Sequence, residues 1–267
     1  MVYAVAILTN LLLASAALAA PSFRLAARHG RRREGRQSKP INRLESVAVS
    51  ELSRLTNAFH TEYSSNWAGA VYDSAPGSYK VVTATFIIPN PKTTSNQTSG
   101  AASAWVGIDG DTCANAILQA GVDFTVTNGA VSYDAWYEWF PDYAYDFSDI
   151  PIAAGNSITI TVTATSTKTG TAVIKNNTTG KAVTKAIASS YALCGQNAEW
   201  IVEDFEEGGS LVPFANFDTV TFTNAYATTP SGSTISPTGA TIIEIEQNNV
   251  LVTSVSTGTN TVTVKYM

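Results

Sequence analysis

Ser157-Ile158-Thr159-Ile160-Thr161-Val162-Thr163-Ala164 alternates apolar and hydroxyl side chains at every step. A period of two puts the aliphatic residues on one side of an extended chain and the hydroxyls on the other. The same rhythm runs through Thr219-Val220-Thr221-Phe222-Thr223 and closes the chain at Thr261-Val262-Thr263-Val264-Lys265-Tyr266. Asn128-Gly129 separates two further runs and suits a two-residue hairpin turn. Short alternating strands, frequent turn signals and no long helical pattern predict an all-β antiparallel sandwich of two large sheets.

Composition agrees. The chain has 267 residues, 45% of them hydrophobic and 14% charged, enough to bury one sizeable core. Thr, Val, Ile, Tyr and Phe abound from residue 60 onward, and no internal linker divides that stretch, so a single mature domain is expected.

The first nineteen residues read differently. Met1 to Ala19 is mostly apolar and ends in Ala17-Leu18-Ala19, the small-residue pattern of a signal peptide. The rival, a membrane anchor, is weakened because Thr9, Asn10 and Ser15 interrupt a stretch already short for a bilayer. Residues 1–19 are therefore expected to direct the chain out of the cell, with no membrane association afterwards. In an oxidising compartment Cys113 and Cys194, the only cysteines, favour one disulfide over two buried thiols. No Cys/His cluster with ligand spacing suggests a metal, and no cofactor motif is present.

Charge divides the chain. Residues 1–58 hold nine Lys/Arg and three Asp/Glu, whereas residues 59–267 hold seven Lys and eighteen Asp/Glu. The basic run from Arg28 to Arg36 reads as a solvated segment, and its place between a signal peptide and an acidic domain argues against nucleic acid as a partner. Residues 20–58 fit a propeptide that covers an acidic cleft and inhibits it, with the boundary between Arg54 and Ser64 and the mature domain at 59–267. A monomer is expected. Asn96, Asn176 and Asn177 head glycosylation sequons.

The chemistry follows by elimination. The mature part has one histidine, His60 at its start, so a Ser/His/Asp or Cys/His arrangement is excluded in practice. Carboxylates, amides and aromatics remain, concentrated in Trp105–Phe124, Tyr133–Pro141 and Asn197–Glu206. Strand periodicity puts Gln119, Gly121 and Asp123 on one face, Asp134, Trp136 and Glu138 on another, and Ile201, Glu203 and Phe205 on a third. Such faces suit a groove for a polymeric ligand, or equally a solvated outer surface with aromatic cover. Read by pattern alone, a sugar-binding module and a two-carboxylate glycosidase stay open beside a peptidase.

At these segments the sequence resembles the G1 family of glutamic peptidases (eqolisins), fungal acid peptidases insensitive to pepstatin. The resemblance runs from Ser65-Asn66-Trp67-Ala68-Gly69 through Ile117-Leu118-Gln119-Ala120-Gly121 and Ile201-Val202-Glu203-Asp204-Phe205 to Val212-Pro213-Phe214-Ala215. It implies a concanavalin-like sandwich, protein and peptide substrates, and a catalytic dyad on Gln119 and Glu203. It further implies groove residues at Trp67, Trp105, Asp109, Asp123, Asp134, Trp136 and Glu138, and a Cys113–Cys194 disulfide. Phe140 and Trp200 depart from residues common in the family, which touches substrate preference and not the dyad. In such a pair an ionised Glu203 takes a proton from water and returns it to the leaving amine, while Gln119 donates to the developing oxyanion.

Overall fold

The computed structural model describes residues 35–44, 61–94 and 96–267. The expected signal peptide, His60 and the rest of the leader, including its boundary from Arg54 to residue 60, lie outside the described residues. Every regular element among the described residues is a strand.

Two sheets carry the sandwich. The eight-stranded sheet runs in space Ala182–Ala188, Thr169–Asn176, Ser157–Ala164, Val81–Ile87, Thr219–Thr228, Thr261–Tyr266, Thr253–Gly258, with Thr234–Ile235 paired to Thr219–Thr228. The nine-stranded sheet runs Val250–Leu251, Thr241–Gln247, Trp67–Asp73, Asn197–Glu203, Ser99–Ile108, Ile117–Thr127, Ala130–Phe140, Tyr145–Asp146. Thr61–Ser64 pairs in parallel with Thr241–Gln247, so the end of the segment expected to be irregular is an edge strand.

Period-two patterning explains the core. Ile158, Ile160 and Val162 are buried while the hydroxyls between them are not, as in Val220/Phe222 and Val262/Val264. These side chains meet Ala102, Ala104, Val106, Ala120, Val122 and Trp200 of the larger sheet in one apolar cluster. Phe86 and Phe222 pack edge-on with centroids 5.4 Å apart. The hairpin at Asn128-Gly129 forms as expected: both residues have positive φ (50° and 80°), and Thr127 pairs with Ala130. Cys113 and Cys194 are joined by a disulfide.

Of the three sequon asparagines, Asn176 is fully buried and donates to the Pro151 carbonyl and Asn156, whereas Asn96 and Asn177 are exposed. The fold leaves no room for a glycan on Asn176.

Candidate active site

The larger sheet has a second face, and its register arranges that face in three rows. Trp67, Glu203, Ser103, Asp123 and Asp134 stand side by side across five strands. The next row is Gly69, Ile201, Trp105, Gly121 and Trp136. The third is Val71, Glu199, Gly107, Gln119 and Glu138. The carboxylates and Gln119 fall in the outer rows, and Trp105 and Trp136 lie in the middle row with Gly69 and Gly121.

The glycines are a spatial requirement. A Cβ on Gly121 would lie 2.6 Å from the Trp105 Cβ, 2.6 Å from Trp136 and 2.8 Å from the Ala104 carbonyl oxygen. One on Gly107 would lie 2.8 Å from the Trp105 ring. The bare backbone lets the indoles lie over the sheet, with Trp67 and Trp105 edge-to-face at 4.9 Å.

This face is covered by residues 36–41, part of the stretch expected to be a propeptide and called the leader below. Arg36–Gln37 pairs with Glu206–Glu207, which continues to Ser210–Leu211 as a small third sheet. Arg36 and Ser38 are fully buried. The Arg36 guanidinium meets Asp123 (Nε–Oδ2 3.1 Å, Nη2–Oδ1 2.7 Å) and Glu138 (Nη1–Oε2 3.2 Å). It lies 3.9 Å above the Trp136 ring and 4.6 Å from that of Phe205. Burial alone would lower the Arg36 pKa, but Asp123, Glu138 and Glu203 together raise it.

Just beyond, the chain crosses Gln119 and Glu203. Gln119 Nε2 donates to the Ser38 carbonyl at 3.1 Å, and the Lys39 amide donates to Glu203 Oε1 at 3.3 Å. Trp105 Nε1 holds the other carboxylate oxygen of Glu203 at 2.9 Å. The Ser38 amide donates to Glu138, and Trp67 Nε1 donates to the Lys39 carbonyl at 3.0 Å. Downstream, Asn66 Nδ2 reaches the Pro40 carbonyl and the Ile41 amide reaches the Gly110 carbonyl.

Burial governs the titration here. It raises Glu203 to about 7, with Arg36, Ser38, Trp105 and the Lys39 amide opposing. Burial also pushes Glu138 well above the usual carboxylate range; Arg36 and the Ser38 amide oppose it, while Glu203 and Asp123 add repulsion. Glu199, whose two oxygens have no hydrogen-bond partner among the described residues, is pushed well up by burial and then by Asp109 and Asp111. Asp204 rises to about 8 through burial, despite the Gln247 amide.

The residues singled out in the sequence thus have different surroundings. Trp67, Trp105, Asp123, Trp136, Glu138, Gln119 and Glu203 all touch the leader or the groups that hold it. Asp134, half-buried, ends the first row beside Asp123. Asp109 turns elsewhere: at the end of its strand, with φ 68°, its carboxylate accepts the amides of Gly195, Gln196 and Asn197 and fixes the loop bearing Cys194. Ser103 was not singled out, and Phe205 and Asn66 were named only as part of a strand face and a motif, yet all three contact the leader. Ser103 shares the parity of Trp105, a signal that periodicity offered.

Residues 65–266 match the model of the Peptidase A4 family. Aspergillopepsin-2 of Aspergillus niger is 48% identical over 98% of both chains, and scytalidopepsin B of Scytalidium lignicola is 41% identical over 98% of both. A crystal structure of scytalido-glutamic peptidase with a transition-state analogue inhibitor superposes with a TM-score of 0.70 at 43% identity, covering 76% of this chain and 98% of that one.

Proposed function

The chain belongs to the Peptidase A4 family and is a glutamic peptidase that hydrolyses peptide bonds in protein and peptide substrates; we propose that it does so with Gln119 and Glu203 as its catalytic dyad. The observation that carries this reading is that one peptide unit, Ser38–Lys39, has its carbonyl on Gln119 and its nitrogen on Glu203. Those are the two atoms hydrolysis must serve. The ionised Glu203 takes a proton from the attacking water, and the carbonyl oxygen gains charge against the Gln119 amide, a donor at any pH. Glu203 then gives the proton to the departing nitrogen, and the Trp105 indole keeps its carboxylate aimed. Trp67, Trp136, Asp123 and Glu138 line the path of the extended chain, and a substrate takes the course that the leader takes.

The reading extends to a secreted, monomeric, pepstatin-insensitive acid endopeptidase whose own leader inhibits it. The seated leader fills the groove and buries Glu203, which holds the base largely protonated below about pH 7. Protonation of Glu138 and Glu203, both raised by burial, removes two of the negative charges that face Arg36. Once the leader leaves, the groove opens to substrate and the Glu203 pKa falls toward the acid range, which enlarges the fraction of carboxylate that serves as base.

The test is hydrolysis of a denatured protein at low pH by leader-free enzyme, with and without pepstatin. Glu203→Gln is expected to give a folded protein with almost no turnover, and pepstatin to have no effect. Wild-type turnover in Glu203→Gln would remove the dyad and direct attention to Glu199.

A further inference from the structure

We propose that Ser38–Lys39 is the first bond this enzyme cuts in its own chain, within one molecule, before the leader is trimmed at the domain boundary. The inference rests on the dyad assigned above and adds a processing site about twenty residues upstream of that boundary.

Three consecutive bonds cross the groove, and only one fits. In Ser38–Lys39 the carbonyl accepts from Gln119 Nε2 and the amide donates to Glu203 Oε1. The Lys39–Pro40 carbonyl is held by the Trp67 indole instead, and the proline nitrogen has no N–H to offer Glu203. For Gln37–Ser38 the nitrogen is held by Glu138, away from the dyad. The register is locked on both sides. Upstream, Arg36 is anchored by Asp123 and Glu138. Downstream, the Ile41, Asn42 and Leu44 amides bond the Gly110 carbonyl, Asn66 Oδ1 and the Tyr63 carbonyl. Arg36 and Ser38 are fully buried, so a second molecule has no access to this bond while the leader is seated.

The chemistry balances with water as the sole co-reactant. Water oxygen bonds to the Ser38 carbonyl carbon as the ionised fraction of Glu203 takes one of the water protons, the C–N bond to Lys39 breaks, and Glu203 passes that proton to the Lys39 nitrogen. The products are a Ser38 carboxyl and a Lys39 amine. The cut frees the part that carries the buried cation. Residues 39–44 stay bound through their own hydrogen bonds, which predicts an intermediate beginning at Lys39.

The experiment incubates the purified full chain between pH 3 and pH 7 and maps early products by intact-mass and fragment-mass spectrometry. The earliest products should end at Ser38 and begin at Lys39, with a half-time unchanged over a hundredfold dilution. Glu203→Gln should leave the bond whole. A first cut elsewhere with Ser38–Lys39 intact, or a rate that falls with dilution, overturns the inference. If the wild-type chain is cut first elsewhere while Glu203→Gln is inert on added protein substrate, the dyad stands and this inference alone falls. If Glu203→Gln cuts itself and added substrate like wild type, the dyad falls with it.

Discussion

Arg36 and Asp123 form a two-pronged ion pair in which both side chains are fully buried, one from the leader and one from the floor of the groove. Such a pair is costly to desolvate and costly to break. Removing one partner typically costs about 3–5 kcal/mol, because the other charge is left buried alone.

Arg36→Met therefore has two expected effects. The full chain should lose stability at pH 7 by about that amount, and less at pH 3, where Glu138 and Glu203 facing it are protonated. It should also cleave an added peptide without the lag shown by wild type. Denaturant unfolding at the two pH values and a progress curve check both. Unchanged stability and an unchanged lag would show that the leader is seated by its apolar contacts.

Gln119→Ala removes the amide that meets the carbonyl oxygen. Loss of one such donor lowers kcat by about a hundred- to a thousandfold in comparable sites. The effect should fall on kcat with KM little changed, as for an interaction made chiefly in the transition state. A change confined to KM would make Gln119 a binding residue.

Much of this was legible locally. Alternation alone grouped Gln119 with Asp123, Trp136 with Glu138, and Ile201 with Glu203; the sandwich followed from alternation and turn signals, the disulfide from a pair of cysteines behind an expected signal peptide, and the choice of Gln119 and Glu203 from the family resemblance. Register was not legible, because pairing Glu203 with Ser103 and Gly107 with Gln119 depends on strands far apart in the chain, and periodicity is blind to that. For the same reason the course of the leader was hidden. Gly35-Arg36-Gln37-Ser38-Lys39 carries no pattern that separates its arginine from the neighbouring Arg31-Arg32-Arg33. Asp109 shows the opposite failure: a carboxylate in the right stretch, turned by a positive φ toward three backbone amides.

Asp204 gives the fold a pH dependence of defined sign. Its pKa is about 8 in the folded protein and near 3.9 unfolded, so the folded state binds the proton more tightly. That contribution is fully present below about pH 4 and is lost as pH rises through 8, at up to ~1.4 kcal/mol per unit. Glu199 and Glu138 act in the same direction. Asp204→Asn, which keeps an acceptor for the Gln247 amide, should flatten the decline between pH 4 and pH 8. An equally steep decline in the variant would place the lability on the other carboxyls.

Gly121→Ala tests the floor of the groove. Its methyl group would meet Trp105, Trp136 and an unyielding backbone oxygen, all within 2.8 Å. Overpacking of this kind costs about 1–3 kcal/mol. Because Trp105 also positions Glu203, activity should fall by more than the unfolded fraction explains. Wild-type stability and activity would mean that the indoles shift without cost.

The last expectation concerns how the leader is released. Opposite net charges on leader and domain suggest an attraction that salt would screen, yet the decisive cation is not on the surface. Arg36 faces Asp123, Glu138 and Glu203 with no exposure, and buried pairs are screened far less than exposed ones. Salt can act on the rim pairs, Lys39 with Glu206 and Arg43 with Glu62, each partner of which is partly exposed. Exposed pairs of that kind contribute roughly 0–1 kcal/mol each. A synthetic peptide of residues 35–44, added to leader-free enzyme, should therefore inhibit with an affinity that falls by no more than roughly tenfold between 0.05 and 0.5 M salt. Lowering the pH from 7 to 3 should weaken it far more, because protonation of Glu138 and Glu203 removes charges that face the buried Arg36. Inhibition that collapses in salt at pH 7 would show that the rim charges hold the leader, and inhibition that survives at pH 3 would show that its apolar and backbone contacts suffice.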